Sequence, residues 1–248
     1  MASLQQSLRQ FLNRRGFDFH RIGAQRLGRD HIADIRHLCG SGSPRRIFDV
    51  GANSGRSALL FQAEFPQAEI HSFEPFPAAF AELVAATRGQ ARIHPEQVAL
   101  GERCESKILN VASGSELNSF LATSPGATEF IDPASIAFQA TCEVAVTTVD
   151  AFCRDRAIGE IDLLKIDTQG YELAVLRGAG ESLASKMVTT IMLEVNFIQL
   201  YVQQCSFTQI MGFLDPLGYH LVGLYDPAHT ADGYLKWADA VFVRSPSR

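Results

Sequence analysis

The sequence predicts an α/β fold, a doubly wound and largely parallel β-sheet with helices on both faces. Apolar runs of strand length alternate with helix-length segments from residue 44 onward. The first run breaks at Gly51 into a glycine-bearing turn, and several later runs end beside an acidic residue. Such alternation is typical of parallel strands joined by right-handed helical crossovers.

The elements of the main domain follow from these patterns in chain order. Strands are predicted at residues 45–50, 69–73, 91–98, 106–112, 143–149, 161–166, 188–195, 219–224 and 240–244. Helices are predicted at residues 55–65, 77–87, 171–177 and 207–214. The last two strands are expected to pair as an antiparallel hairpin. The loop 113–140 is rich in Ser, Gly, Thr and Pro, and loops of this length are usually functional.

The first 43 residues are predicted to form a helical extension ahead of a main domain at residues 44–248. Apolar residues recur at helical spacing in two places, at Leu4, Leu8, Phe11 and Leu12 and at Ile32, Ile35 and Leu38. Seven arginines against three aspartates give residues 1–40 a charge of +4, whereas the whole chain carries −5. The acidic body argues against a general nucleic-acid groove. The basic N-terminal helices are the only part of the chain that could contact an anionic membrane surface. For these helices, the favoured interpretation is that their basic face is solvated.

Length and cysteine usage indicate one intracellular domain. At 248 residues with 46% hydrophobic content, the chain can bury the core of one α/β domain with additions. Its five cysteines include no Cys-x-x-Cys pair, which suits a reducing compartment. No run approaches the roughly 18 apolar residues of a membrane span, and the N-terminus lacks the apolar core of a signal peptide. We therefore expect a soluble, cytoplasmic protein; its oligomeric state is not indicated.

The turn after the first strand predicts a nucleotide site. The strand delivers Asp49 at its end, and Gly51 and Gly55 leave room where the backbone can approach a ligand. A dinucleotide fingerprint would need glycines where Asn53 and Arg56 stand. A pyrophosphate ligand is therefore disfavoured.

Acidic residues end several other strands. Glu74 follows the second strand, 23 positions after Gly51, close to the offset of about 20 at which an acid meets ribose hydroxyls. Asp167 and Glu194 lie at or beside the ends of later strands, and such ends meet at one edge of a parallel sheet. S-adenosylmethionine fits, because it has a ribose and no diphosphate. The alternative to a ligand site is that Gly51 and Gly55 merely shape a tight turn, and that the acids cap helices or face solvent.

Five segments together resemble the FkbM-type S-adenosylmethionine-dependent methyltransferases over residues 44–244. They are Phe48-Asp-Val-Gly-Ala-Asn-Ser-Gly55, Phe73-Glu-Pro75, Val146-Thr-Thr-Val-Asp150, Leu164-Lys-Ile-Asp-Thr-Gln-Gly-Tyr-Glu172 and Asp239-Ala-Val-Phe242. The fourth is the most specific, since the first two are shared by class I methyltransferases generally. The resemblance implies a Rossmann-like seven-stranded sheet with a C-terminal antiparallel hairpin. It also implies O-methylation of a hydroxyl on a sugar, polyketide or related natural product.

The resemblance further implies which residues meet the cofactor. With Asp49 from the turn, they are Gly51, Asn53 and Gly55 at the methionine part, Glu74 at the ribose, Val98 and Ala99 at the adenine, Asn118 at a polar spot and Asp167 near the methyl group. Of these, Asn118 is the least firmly aligned.

Methyl transfer to a hydroxyl needs alignment of the reacting atoms and a base for the proton. Asp167 is the first candidate for the base, and Glu194 and Glu172 are weaker ones. Lys165 either pairs with a carboxylate such as Asp49 or Glu194, or takes a direct catalytic part. Strand-end acids would also suit a divalent cation, with Asp167 the first ligand, but no spacing requires one and no metal site is predicted.

Two other function classes stay open from the sequence. One is a non-catalytic cofactor-binding or scaffold protein, and the other is a nicotinamide-dependent oxidoreductase, which the missing glycines disfavour. The partner expected of the enzyme is a small-molecule hydroxyl acceptor.

Overall fold

The computed structural model describes residues 27–39 and 42–244. Its strands are β1 Arg46–Val50, β2 Glu69–Phe73, β3 Ile93–Glu96, β4 Ala99–Leu100, β5 Glu105–Ala112, β6 Phe138–Thr147, β7 Ile161–Ile166, β8 Val188–Asn196, β9 Tyr219–His229 and β10 Leu235–Arg244. Its α-helices are α1 His31–Leu38, α2 Arg56–Glu64, α3 Pro77–Ala86, α4 Pro133–Ile136, α5 Val149–Asp155, α6 Glu172–Arg177, α7 Gly180–Ala184 and α8 Phe207–Leu214. The helix predicted around Leu4 to Leu12 lies outside the described residues.

The main sheet has seven strands in the order β3-β2-β1-β7-β8-β10-β9. The first five of these run parallel, whereas β10 is antiparallel to both β8 and β9. The predicted doubly wound sheet with a C-terminal hairpin is therefore confirmed. Strand order reverses at β1, which has β2 on one side and β7 on the other, and ligands bind beyond strand ends at such a point.

Alternation along the central strands sends neighbouring residues to opposite faces of the sheet. Phe48 packs in an apolar cluster with α5 to α8, whereas Ile47 packs with α1 and α2 on the other face. Asp49 is paired with Lys165 across β1 and β7, so both side chains fall on the α1 and α2 face. The sheet thus places the Asp49 carboxylate and the Lys165 ammonium side by side beneath the glycine turn.

Several predicted strands have different boundaries, and two of them change how the sheets are built. The run predicted at 91–98 ends as β3 at Glu96, and β4 then leaves the main sheet to pair with β6. The strand predicted at 143–149 begins earlier, at Phe138, and ends at Thr147. β-Branched residues favour a strand there, but the Thr148 hydroxyl accepts the backbone N–H of Ala151 and starts α5 instead.

A small second sheet, β4-β6-β5, and the loop after β5 lie beside the main sheet. The loop packs through its own apolar cluster, in which buried Ala127 and Ile136 contact Leu200 and Tyr201. The predicted long loop is therefore a packed cap that joins the segment after β8. No helix in the described part of the chain is long and apolar enough to cross a membrane.

Candidate active site

The turn after β1 is built around Gly51. Its φ of +77° lies in the left-handed region, and a Cβ added there would come 1.9 Å from the main-chain oxygen of Asp167. The backbone N–H groups of Gly51 and Ala52 both donate to the carbonyl of Phe73 at 3.0 Å. Only glycine fits this position, because the turn is pressed between the ends of β2 and β7.

The carboxylate of Glu74 is fixed by the backbone. Its two oxygens accept the N–H groups of Asn53 and Phe76, at 2.9 and 2.8 Å, and the residue is 6% exposed. Burial raises the pKa of this carboxyl, and the two backbone hydrogen bonds act against that rise. The Asn53 side chain donates to the Ser115 hydroxyl at 3.1 Å, which ties the turn to the loop after β5.

Beneath the turn, Lys165 and Asp49 form a buried ion pair. The ammonium lies 3.2 Å from Asp49 Oδ1, donates to the Gly51 carbonyl at 3.3 Å and stands 3.7 Å from Asp167 Oδ2. The Ser57 hydroxyl donates to the other Asp49 oxygen at 2.7 Å. Burial by itself lowers the pKa of Lys165, but the carboxylates of Asp49 and Asp167 outweigh it and raise that pKa. Lys165 therefore joins β1, the turn and the end of β7.

Beyond β7, the side-chain amide of Gln169 lies between two acids. It donates to Asp167 Oδ1 at 2.9 Å and to Glu194 Oε2 at 3.0 Å. Burial raises the pKa of Glu194 well above its usual value, and the nearby Asp167 carboxylate adds to the rise. Glu172 is buried as well, and one of its oxygens accepts the backbone N–H groups of Thr168 and Gly170.

These features open on one pocket of about 630 Å³, counted with its mouth. Its lining includes Gly51, Asn53 and Glu74 from the turn and the end of β2, and Asp167, Thr168 and Gln169 from the segment after β7. The apolar part of the lining is made by Phe73, Ala99, Leu100, Leu109 and Phe120. The pocket can hold a ribose at Glu74 and a flat apolar ring against these side chains, with Asp167 in the same lining.

Comparison with known proteins decides the family. Residues 49–221, more than half of the chain, match the Methyltransferase FkbM domain. The chain belongs to the FkbM methyltransferase family. The family implies S-adenosylmethionine as the methyl donor, and membership in it argues against a nicotinamide-dependent oxidoreductase.

Two relatives show the extent of the likeness. The 31-O-demethyl-FK506 methyltransferase FkbM of Streptomyces tacrolimicus is 30% identical over an alignment of 155 residues that covers 55% of this chain and 60% of that protein. The crystal structure of Methyltransferase FkbM from Methylobacillus flagellatus KT gives a TM-score of 0.50 at 14% identity, covering 81% of this chain and 43% of that one. This chain thus matches less than two thirds of either relative, and the solved structure supports the fold.

The structure of this member of the FkbM methyltransferase family divides the residues expected at the site into two groups. Six line the pocket, namely Gly51, Asn53, Glu74, Ala99, Asn118 and Asp167. Five lie behind or beside it, namely Asp49, Gly55, Val98, Lys165 and Glu194. Of the three acids considered for the base, Asp167 alone lines the pocket.

The residues behind the lining have evident structural contacts. Gly55 precedes α2 with a φ of +90°, and a Cβ there would come 2.8 Å from the Leu83 side chain. Val98 packs against the apolar cluster of the α5 to α8 face. Asp49 and Lys165 satisfy each other, as the ion-pair alternative for Lys165 requires.

Several lining residues have no counterpart among the predicted ones. Among them are Ser115, Glu116, Phe120 and Gln169. The first three belong to the long loop, whose length and composition marked it as functional without singling them out. Gln169 lies inside the most specific family segment, and no pattern in the sequence shows that its amide would reach Glu194.

In the described part of the chain, no group of three or more His, Cys, Asp or Glu side chains is arranged to hold a metal ion. The strand-end acids are instead bound to Lys165, to Gln169 and to backbone N–H groups.

Proposed function

We propose that this chain transfers the methyl group of S-adenosylmethionine to a hydroxyl oxygen of an uncharged small molecule. One observation carries the proposal, namely that Gly51, Glu74 and the Asp167 side chain line a single pocket. Apolar side chains complete the lining. Donor and acceptor would therefore meet within one cleft.

The residues of the glycine turn and the end of β2 would hold the methyl donor. The sulfonium of bound S-adenosylmethionine supplies an electrophilic methyl group. Gly51 lets the backbone approach its amino-acid part, and the Glu74 oxygens can each accept a ribose hydroxyl beside the N–H they already accept. Ala99 and Leu100 offer an apolar surface to the adenine.

Asp167 is the proposed base. It lines the pocket, and a carboxylate within hydrogen-bond reach of a hydroxyl can accept its proton as the new oxygen–carbon bond forms. The Lys165 ammonium and the Gln169 amide contact its two oxygens from behind. Asp167 is thereby held in one orientation, which suits the alignment on which methyl transfer depends.

The charges of the pocket support an uncharged acceptor. The charged side chains that line it in the described residues are all acidic, namely Glu74, Glu116 and Asp167. A phosphate or carboxylate on the acceptor would meet only like charges there. A neutral polyol, sugar or polyketide alcohol would not, and the name of the Streptomyces relative supports oxygen as the methylated atom.

A cytoplasmic location is part of the proposal. All five cysteines are unpaired. Free thiols are typical of proteins in a reducing compartment.

The proposal is tested by calorimetric titration with S-adenosylmethionine and its demethylated product, followed by a methyl-transfer screen over glycosylated and polyketide-like alcohols. We expect binding of both ligands and methylation of a neutral alcohol. Replacing Asp167 by Asn should lower kcat by about 100- to 10,000-fold, whereas the exposed control Asp155→Asn should not. Tight cofactor binding with no methylated acceptor would favour the scaffold alternative, and full turnover by Asp167→Asn would remove the proposed base.

A further inference from the structure

Gln169 occupies an unusual place in the turn between β7 and α6. Its φ of +54° lies in the left-handed region, which is uncommon for a residue with a side chain. The residue lines the pocket and yet is 9% exposed. Such a strained, buried position persists only where the surrounding structure holds it.

Every polar atom of the Gln169 side chain is bound. Its nitrogen donates to Asp167 Oδ1 at 2.9 Å and to Glu194 Oε2 at 3.0 Å. Its oxygen accepts the Tyr201 hydroxyl at 2.8 Å. An amide has two hydrogens, so these bonds use both of them, and the Tyr201 hydroxyl fixes which end of the amide faces the acids.

The backbone of the same residue is held from a distant part of the chain. The Ser119 hydroxyl donates to the Gln169 carbonyl at 2.7 Å. Tyr201 is 1% exposed, and its hydroxyl approaches the Leu117 carbonyl at 3.3 Å as well. The loop after β5 and the segment after β8 therefore set the position of the amide.

Glu194, which lies across this amide from Asp167, is surrounded mainly by acids. Glu194 faces Asp167 and Lys165 on β7, Glu172 on α6 and Asp239 on β10, to which it is paired in the strand register. Three acidic groups thus oppose one ammonium, and burial adds to their effect in raising the pKa of Glu194. The surroundings favour Glu194 in its protonated form.

We propose that Gln169 is a positioning residue, which aims the Asp167 carboxylate into the pocket and joins it to Glu194 as one two-carboxyl unit. The inference rests on the proposed function. In the transfer, the acceptor oxygen forms a bond to the methyl carbon, the carbon–sulfur bond breaks with its electron pair going to sulfur, and the hydroxyl proton passes to Asp167. Glu194 touches neither reactant and acts through the amide.

The kinetic test compares Gln169→Leu and Tyr201→Phe with wild type, using a neutral alcohol that the screen shows to be methylated. Gln169→Leu should lower kcat by about 10- to 100-fold and displace the pH profile of kcat, because Asp167 loses its orientation. The Kd for S-adenosylmethionine should stay within about twofold, since the amide is bonded to none of Gly51, Asn53 and Glu74. Tyr201→Phe should show a smaller change of the same kind, and Gln67→Leu, on an exposed turn, should show none.

A second test needs no acceptor. In the cofactor-free protein, carbon-13 NMR would follow the side-chain carboxyl of Glu194, assigned by its loss in Glu194→Gln. Removing the donor in Gln169→Leu should raise the titration midpoint of Glu194 by about half a pH unit or more, since a donor favours the ionised form. Tyr201→Phe should raise it less.

The two tests separate the inference from the function on which it rests. If wild type methylates no alcohol, the proposed function fails, and the NMR titration still decides whether Gln169 links the two acids. If wild type is active but Gln169→Leu keeps both its pH profile and the Glu194 midpoint, Gln169 is merely structural and the inference is wrong. The conservative Tyr201→Phe gives the same decision should the leucine variant fold poorly.

Discussion

The pocket lining has two parts, which are built in different ways. In the part proposed to hold the cofactor, here called the cofactor end, Gly51, Asn53 and Glu74 lie within 24 residues of each other and are bound through backbone N–H groups. In the part proposed to hold the acceptor, here called the acceptor end, Ser119, Gln169 and other side chains come from segments far apart in the chain. The proposed donor site therefore depends on local backbone shape, whereas the proposed acceptor site depends on side chains brought together by folding.

The largest effect should come from Gly51→Ala, which alters the backbone of the turn at the cofactor end. Its Cβ would overlap the Asp167 carbonyl oxygen at 1.9 Å, and the left-handed φ adds strain. We expect a loss of about 3 kcal/mol in the free energy of unfolding and loss of cofactor binding. Chemical denaturation and calorimetric titration would measure both. Gly126→Ala, at a glycine with open space and a negative φ, should change neither.

Glu74→Gln should weaken the cofactor end without unfolding it. A glutamine offers one acceptor oxygen where the carboxylate offers two, so the N–H of either Asn53 or Phe76 loses its partner. We expect the Kd for S-adenosylmethionine to rise about 10- to 100-fold, equivalent to roughly 1.4 to 3 kcal/mol. The exposed Glu82→Gln is the matched control. Unchanged affinity in Glu74→Gln would show that this carboxylate does not meet the ribose.

At the acceptor end, Asp239→Asn should change how stability depends on pH. Burial and the nearby Asp167 carboxylate raise the pKa of Asp239 from 3.8 to about 6. The folded chain therefore keeps a proton that the unfolded chain releases between about pH 4 and pH 6, so wild type loses stability as pH rises through this window.

The Asp239→Asn variant has no carboxyl to titrate at this position, so it does not lose this stability as pH rises. The free energy of unfolding of the variant minus that of wild type should therefore increase by about 2 to 3 kcal/mol between pH 4 and pH 8, measured by urea denaturation. A difference independent of pH would show that Asp239 is not strained by its acidic neighbours. The acids of the acceptor end would then be less tightly coupled than the structure indicates.

The smallest effect is expected from Lys107→Met. Its ammonium lies 5.7 Å from the ring centre of Phe120, which lines the pocket, and 5.5 Å from that of Tyr171. Loss of these cation–π contacts should cost about 0.5 to 1 kcal/mol, seen as a change of a few fold in kcat/KM. Lys236→Met removes a similar contact, to Trp237, away from the pocket and should leave kcat/KM unchanged.

Much of the fold was predictable because strand and helix patterns are local. The predicted bounds of β2, β7 and α8 agree with the structure, and the apolar periodicity of each is strong. The pattern misled where β-branched residues were followed by a capping hydroxyl, as at Thr148. The hairpin strands β9 and β10 extend beyond the predicted bounds, because polar residues there form strand backbone that no apolar run indicates.

The sequence by itself determined the turn at Gly51 and the acid that follows β2 at Glu74, since both depend on backbone shape over a short stretch of chain. Only the tertiary structure decided which acids face the pocket, that Lys165 pairs with Asp49, and that Gln169 joins Asp167 to Glu194. The physical reason is that a side-chain hydrogen bond needs its two partners within about 3 Å. Tyr201 and Ser119 reach Gln169 from positions 32 and 50 residues away, and no local pattern encodes that approach.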